Sequence, residues 1–349
     1  MTRKSLYDIS WKVTEEEYRQ DKAYSYSTIA KFDREGFDKL SSLFDRVETP
    51  SLTFGSMVDT LITDSQEAFD NLYTTADFPA LSDTQEIIVK SLFKSYGEDY
   101  LSLEDIPDKM VSDVCIMYNY YANERYNNLR ASKIKKDCSE YYDLLVLTKS
   151  KTLVDRDTYN DAINCAYTLK TSEYTKFYFE NDNPFDNSVE RLYQLKFKGE
   201  YNGIPLRCMM DEVIVLHDKK IIIPIDLKTS SKKEWNFHKS FIEWKYYVQS
   251  QLYWTILRQN LDKDEYFKDF TLLDYRFIVI CRSSNKPLVW TYKDTQSTEP
   301  ILYYGKDKQY KCRNWRTIVT ELHHYMTHIT PYPIGITDLN DITEWLNKD

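Results

Sequence analysis

Glycine and proline are scarce in this chain of 349 residues, at 7 and 10 respectively, which excludes collagen-like and low-complexity architectures. The six cysteines, Cys115, Cys138, Cys165, Cys208, Cys281 and Cys312, include no Cys-x-x-Cys pair, and this argues against a zinc or iron–sulfur site. No apolar run approaches the length of a membrane span. The opening Met1-Thr-Arg-Lys-Ser-Leu6 has no apolar stretch behind its basic residues, unlike a secretory signal. Together these absences predict a protein with no membrane partner and with reduced thiols, located in a cytoplasm. An excess of positive charge is also missing, since the net charge is -9. That excludes a protein that coats nucleic acid through bulk charge, but it leaves room for an enzyme with a local basic groove.

What the chain does have is a core and a well-solvated surface, with 42% hydrophobic and 29% charged residues. Aromatics reach 15%, and 30 of them are tyrosines, which suit half-buried faces and nucleotide-stacking surfaces alike. Residues 1–187 read as mainly helical. Ser25 reads as a cap for a helix through Ile29 and Phe32, and Met57, Val58, Leu61 and Ile62 fall on one side of a helix over residues 53–62. Helical spacing also covers 83–96, 108–127 and 155–180. The character changes near Asn187. Segments 189–201, 204–216 and 220–229 are rich in β-branched and aromatic residues, with a hairpin signal at Asn202-Gly203 and a turn at Asp218-Lys219. Helical spacing returns over 237–259, strands are predicted at 272–281 and 288–292, and helices at 311–328 and 337–347. The predicted division is a helical N-terminal region, 1–187, and an α/β core with C-terminal helices, 188–349.

Chemistry concentrates around Ile225-Asp226-Leu227-Lys228-Thr229. In a strand, residues two apart face the same way. Asp226 and Lys228 therefore share one face, with Ile225 and Leu227 on the other. Ile221, Ile222 and Ile223 precede them, so the charges stand at the end of a buried strand, where desolvation is expensive. Phosphodiester hydrolysis gives such charges a use. Carboxylates bind a hard divalent ion that polarises the phosphoryl oxygen and acidifies water. A lysine orients or helps deprotonate that water and offsets developing charge. Asp211, on the preceding strand of the predicted hairpin, can be brought beside Asp226. Alone, an Asp-x-Lys at a strand end is usually an exposed pair.

With Asp211 upstream, this segment resembles the second and third motifs of the PD-(D/E)XK nucleases. Tyr246-Tyr-Val-Gln249-Ser-Gln-Leu-Tyr253 resembles the Gln-x-x-x-Tyr signature of their RecE-like and RecB-like exonuclease branch. Gln249 and Tyr253 are one helical turn apart and share a face; by themselves they would read as a boundary between core and solvent. Ser25-Tyr-Ser-Thr-Ile-Ala-Lys-Phe32 and Leu52-Thr-Phe-Gly55-Ser56-Met-Val-Asp59 are similar to the first motif of the same branch. There the family's histidine ligand stands where this chain has Asp59. The motif-bearing pieces span roughly residues 25–62 and 188–256.

The resemblance implies a restriction-endonuclease-like α/β core, with a central mixed sheet flanked by helices. It implies a metal-dependent exodeoxyribonuclease acting on linear duplex DNA ends in recombination, repair or phage DNA processing. Asp59, Asp211 and Asp226 would hold Mg²⁺ or Mn²⁺, with the Leu227 carbonyl as a further ligand. Lys228 would position water. Glu190, Gln249 and Tyr253 would support the site or grip DNA. A single-strand annealing protein and a homo-oligomeric ring are the partners that the resemblance implies. The alternative is a catalytically inactive DNA-binding or assembly module that keeps the fold, which the Asp at position 59 favours. Lys196, Lys198, Lys228, Lys232, Lys233, Lys239 and Lys245 are candidates for a phosphate track. His324 and His328 share a helical face, but no Glu or Cys completes a ligand set beside them.

Overall fold

The computed structural model describes residues 3–45, 49–76, 81–127, 129–148, 151–180, 188–297, 299, 301–304 and 309–327. The helices are α1 (Glu15–Gln20), α2 (Tyr26–Glu35), α3 (Pro50–Thr63), α4 (Gln66–Leu72), α5 (Asp83–Tyr96), α6 (Asp108–Met117), α7 (Arg130–Thr148), α8 (Arg156–Thr171), α9 (Lys176–Phe179), α10 (Phe237–Glu243), α11 (Tyr246–Asp262) and α12 (Trp315–Thr327). The strands are β1 (Tyr73–Thr75), β2 (Thr152–Val154), β3 (Val189–Tyr201), β4 (Ile204–Leu216), β5 (Ile221–Ser230), β6 (Thr271–Leu272), β7 (Arg276–Cys281), β8 (Lys286–Thr291), β9 (Ile301–Tyr304) and β10 (Gln309–Cys312). Two compact units emerge, residues 1–63 with 165–349, and residues 64–164.

The first unit is built on a six-stranded mixed sheet in the order β3-β4-β5-β7-β8, with β6 pairing β5. Pairing is antiparallel except where β5 meets β6 and β7. The expected class, a mixed sheet flanked by helices, is what the chain adopts. Asn202 and Gly203 take φ values of 50° and 79°, the left-handed pair that a two-residue hairpin needs to match strand twist. Helix α11 packs across β3 and β4, with α2 and α12 against it, and α3 packs on β4 and β5. Phe197, Met210, Val248, Leu252, Ile256, Phe277 and Trp315 fill the resulting core; each such side chain contributes roughly 1.5–3 kcal/mol of burial.

The second unit is helical around Ile88, Leu92, Val111, Ile134, Cys138, Tyr141 and Tyr142. It also holds β1 and β2, which pair in parallel and which the sequence pattern did not signal.

Several boundaries differ from expectation for local reasons. The helix predicted to run to residue 127 stops at Met117, and Asn119 and Tyr121 then take positive φ. The predicted helix over 155–180 breaks at Thr171 and resumes as the short α9. The helix over 237–259 is two helices, because Lys245 adopts φ 59°. The Tyr26 hydroxyl donates to the Trp244 carbonyl freed there, at 2.6 Å. Residues 311 and 312, predicted to open a helix, end β10 instead, and the helix starts at Trp315. Ser25 does occupy the N-cap of α2, but its hydroxyl bonds those of Ser27 and Thr28 instead of a backbone N–H. The predicted helix at 337–347, and His328, lie outside the described residues. Among the described residues, no helix is long and apolar enough to cross a membrane, and all six cysteines are free.

Candidate active site

The site begins with an interruption in strand pairing. The β4–β5 ladder runs from Leu216↔Ile221 to Glu212↔Ile225 and stops, whereas β5 continues beside β7 with Asp226↔Phe277 and Lys228↔Val279. One more step in register would have set Asp211 opposite Asp226. At the same level the β3–β4 ladder passes from Tyr193↔Glu212 to Leu195↔Met210 without a Gln194–Asp211 pair, and Gln194 takes φ 53°. The side-chain alternation shifts there. Leu206, Cys208 and Met210 face the main core before this point, and Val213 and Val215 face it after. Such a kink re-aims side chains at a strand. Here it parts β4 from β5 and sends the Asp211 carboxylate into the gap, where its Oδ2 accepts the Leu227 N–H at 2.9 Å.

Asp226 and Lys228 do share a face, as their spacing predicts. Lys228 Nζ lies 2.5 Å from Asp226 Oδ2, and Gln249 Nε2 of α11 donates to Asp226 Oδ1 at 2.5 Å. The Lys228 ammonium also stands 5.0 Å from the centre of the Tyr246 ring, a favourable cation–π placement. Asp59 arrives from α3. Gly55, one turn earlier, lets that helix approach closely, since a Cβ there would stand 3.3 Å from Thr229 Oγ1. Gln194 Nε2 donates to Asp59 Oδ2 at 3.0 Å, so the residue at the kink holds the helix-borne acid.

The electrostatics tie these groups together. Burial, and then the Asp226 charge, push the Asp59 carboxyl up to about 7, with Lys228 partly offsetting them. Burial, Asp226 and Asp59 drive Asp211 well above the usual carboxylate range, against the pull of Lys228 and the Leu227 N–H. For Lys228, burial disfavours the charged amine, but Asp226, and behind it Tyr246 and Asp211, hold its proton more tightly than an ordinary lysine's. Crowded carboxylates around one ammonium are a common signature of functional sites.

The other predicted residues are placed as follows. Leu227 pairs with Ile278 of β7 and spends its N–H on Asp211. Tyr253 is buried, with its ring against Tyr26 and Tyr275, so it is part of the core beneath the site rather than an exposed grip. Glu190 is not drawn into the cluster. It pairs with Val215, on the order of 13 Å along β4 from Asp211 at the usual strand rise. Its carboxylate accepts from Ser5 Oγ at 2.6 Å and from the Leu6 N–H at 3.4 Å, and contacts His217 Nε2 at 3.3 Å. Of the lysines, Lys198, Lys232 and Lys245 are ion-paired with Asp21, Glu243 and Asp33, which removes them as free phosphate contacts. Two participants were not foreseen. Tyr246 lies one turn before Gln249 on the same helix and was findable by spacing. Gln194 carries no sequence signal, because its part depends on a left-handed backbone.

Among the described residues, no three acidic, histidine or cysteine groups stand in ligand geometry about one point. The donor chemistry nonetheless fits a hard divalent cation. Asp59 Oδ1 and Gln249 Oε1 are buried acceptors with no hydrogen-bond donor among the described residues. The carboxylates of Asp59, Asp211 and Asp226 repel one another, and an oxygen-seeking cation would relieve that repulsion.

No protein-family model matches the chain, and no curated protein matches it in sequence. A solved structure from Eubacterium rectale, described as a "Putative exonuclease", is similar over 94% of this chain and 98% of its own, at 13% sequence identity and a TM-score of 0.42. So distant a likeness assigns no function by itself.

Proposed function

We propose that this chain is a metal-dependent deoxyribonuclease that hydrolyses phosphodiester bonds, with Mg²⁺ as the preferred ion. The observation that carries this reading is the cluster of Asp211, Asp226 and Lys228 where β4 and β5 part, with Asp226 buried and the other two half-buried, and with Asp59 near enough to feel the same charges. Stability alone does not call for three carboxylates and an ammonium gathered around one buried aspartate, since desolvating such charges costs more than a well-packed apolar replacement.

Asp59, Asp211 and Asp226 would hold the ion. When bound, it would polarise a phosphoryl oxygen and lower the pKa of a water molecule. The rest is done by the protein's own groups. The Leu227 N–H fixes the rotamer of Asp211, and the Gln249 amide fixes that of Asp226. Lys228, with its neighbours as they stand, keeps its proton. There it offers a hydrogen-bond donor and a positive charge beside the reacting phosphate or water. Tyr246 supports the ammonium from below.

The finer reading, an exonuclease of linear duplex ends working with an annealing protein and assembled as a ring, rests on the resemblance of Gln249-x-x-x-Tyr253 and of residues 25–62 to the RecE-like branch. Incubating the protein with linear and closed-circular duplex DNA, in Mg²⁺, Mn²⁺ or EDTA, tests both levels. Degradation of linear DNA alone, lost in EDTA, supports the full reading; rapid nicking of circles leaves a nuclease but removes the end preference. A second reading, an inactive binding or assembly module, is favoured by the Asp226 carboxylate being engaged on both oxygens by Lys228 and Gln249. No cleavage under any metal would select it.

A further inference from the structure

A cleft of about 510 Å³ opens beside the site, between the N-terminal segment and β3. Its walls include Tyr7, Trp11, Lys12, Tyr193, Gln194 and Lys196. Its volume lies in the range of pockets that take small ligands, roughly 300–1,000 Å³. The segment is pinned to the sheet by the Trp11 N–H, which donates to the Lys196 carbonyl at 2.7 Å. Tyr7 is 50% exposed, and Trp11 and Tyr193 are half-buried, with Lys198 Nζ over one face of the Trp11 ring at 4.1 Å from its centre. Lys12 is exposed and stands 4.8 Å from the centre of the Tyr7 ring. Lys12 and Lys196 have no ion-pair partner among the described residues, in contrast to Lys198, Lys232 and Lys245. The acid on this wall, Glu17, is committed to capping Thr14, whose N–H it accepts at 2.7 Å. Gln194 joins the cleft to the site, because the residue lines the cleft and its side chain holds Asp59.

We infer that this cleft holds one or two unpaired nucleotides of the strand whose phosphate enters the site. The inference rests on the nuclease reading for its direction, but not for its chemistry. Aromatic rings stack on the faces of bases released from a duplex, and lysines without partners can take the phosphates between them. Gln194 then makes the grip on the strand and the placement of Asp59 parts of one arrangement.

The test is fluorescence anisotropy with a labelled oligothymidylate, in EDTA and low salt, so that no cleavage is needed. Trp11→Ala should weaken binding roughly 5- to 100-fold, the range for losing a stacking partner. Trp11→Phe should restore most of it. A Lys12→Ala/Lys196→Ala variant should flatten the dependence of affinity on salt by about one to two phosphate contacts. An abasic oligonucleotide and a blunt duplex of equal length should bind more weakly, and thymidine 5′-monophosphate should compete poorly. Equal affinity for the abasic strand, equal affinity in folded Trp11→Ala, tighter duplex binding, or competition by the mononucleotide at strand-like concentrations would each overturn the proposal. Hydrolysis of bis(p-nitrophenyl) phosphate with Mg²⁺ or Mn²⁺ separates the two readings. If that ester is untouched while Trp11-dependent strand binding persists, the cleft stands and the nuclease reading falls. If the ester is hydrolysed equally by wild type and Trp11→Ala while strand binding ignores Trp11, the cleft falls and the nuclease reading stands.

Discussion

The unit of residues 64–164 and the unit of residues 1–63 with 165–349 bury polar groups on different terms. In the first, Arg130 is the one charged side chain that is buried among the described residues. It is a staple, donating to the Asn123 carbonyl at 3.1 Å and to Asn127 Oδ1 at 2.5 Å, within its own helix–turn. Everything else in that core is aliphatic, aromatic or thiol. In the second, Arg207, Glu212, Asp226 and Gln249 are buried, and Asp226 meets Lys228 of its own strand and Gln249 of α11. A local staple uses one nitrogen of a buried guanidinium to hold a turn. A charge assembled from a helix, two strands and a second helix has to be positioned by the whole sheet, and that expense is characteristic of chemistry rather than stability.

The sharpest way to break this comparison is at Lys228 and Asp226. Lys228→Ala and Asp226→Asn should each lower DNA hydrolysis by at least ~10²-fold, as loss of a preorganised electrostatic group does, with circular dichroism and melting near those of the parent. Near-parental rates in either folded variant would reduce the cluster to a structural ion pair.

Ile134→Ala in the helical unit, where the residue is fully buried, should do the opposite. It should cost about 2–5 kcal/mol of stability through lost transfer energy and a cavity, read by chemical denaturation, while the rate per folded molecule stays at the parental level.

Asp59 gives a pH signature. Its carboxyl is held up to about 7 when folded, so the folded state keeps that proton where the unfolded chain has released it. The contribution is fully present below the unfolded carboxyl's range, and it is lost as pH rises toward 7. In EDTA the melting temperature of the parent should therefore fall between pH 5 and pH 8 more than that of Asp59→Asn. Mg²⁺ should recover the parent more than the variant. Parallel pH curves for the two proteins would show that Asp59 is not coupled to the site. In activity, Asp59→Ala should be severely impaired, and Asp59→His should keep partial activity with its optimum moved toward Mn²⁺, because imidazole is the softer ligand.

The smallest effect belongs to Gly55→Ala. The added methyl would meet Thr229 Oγ1 at 3.3 Å, so the Thr229 side chain or α3 must give by a few tenths of an ångström. The rate should fall several-fold, with little change in melting, because misplacement at a reacting centre is felt before stability is. A melting loss larger than the rate loss would mean that Gly55 serves packing alone.

The sequence by itself was enough for the strands of the hairpin, its Asn202-Gly203 turn, the shared face of Asp226 and Lys228, and the helix bearing Gln249. These are local matters, fixed by alternation, turn chemistry and helical spacing, and they survive wherever the segment packs. It was also enough to bring Asp59, Asp211 and Asp226 under suspicion together. Only the tertiary structure decided how they meet. The parting of β4 from β5 depends on the left-handed Gln194 of a third strand, and a residue's φ is not written in its type. Glu190 looked equivalent to Asp211 as an acid on a strand, but it lies far along the ladder and answers to Ser5 and His217. Tyr253 shares a helical face with Gln249, but it is buried in the core against the rings of Tyr26 and Tyr275. Periodicity says which residues share a face; which groups lie across from that face is set by packing between distant segments, and a single sequence does not encode that locally.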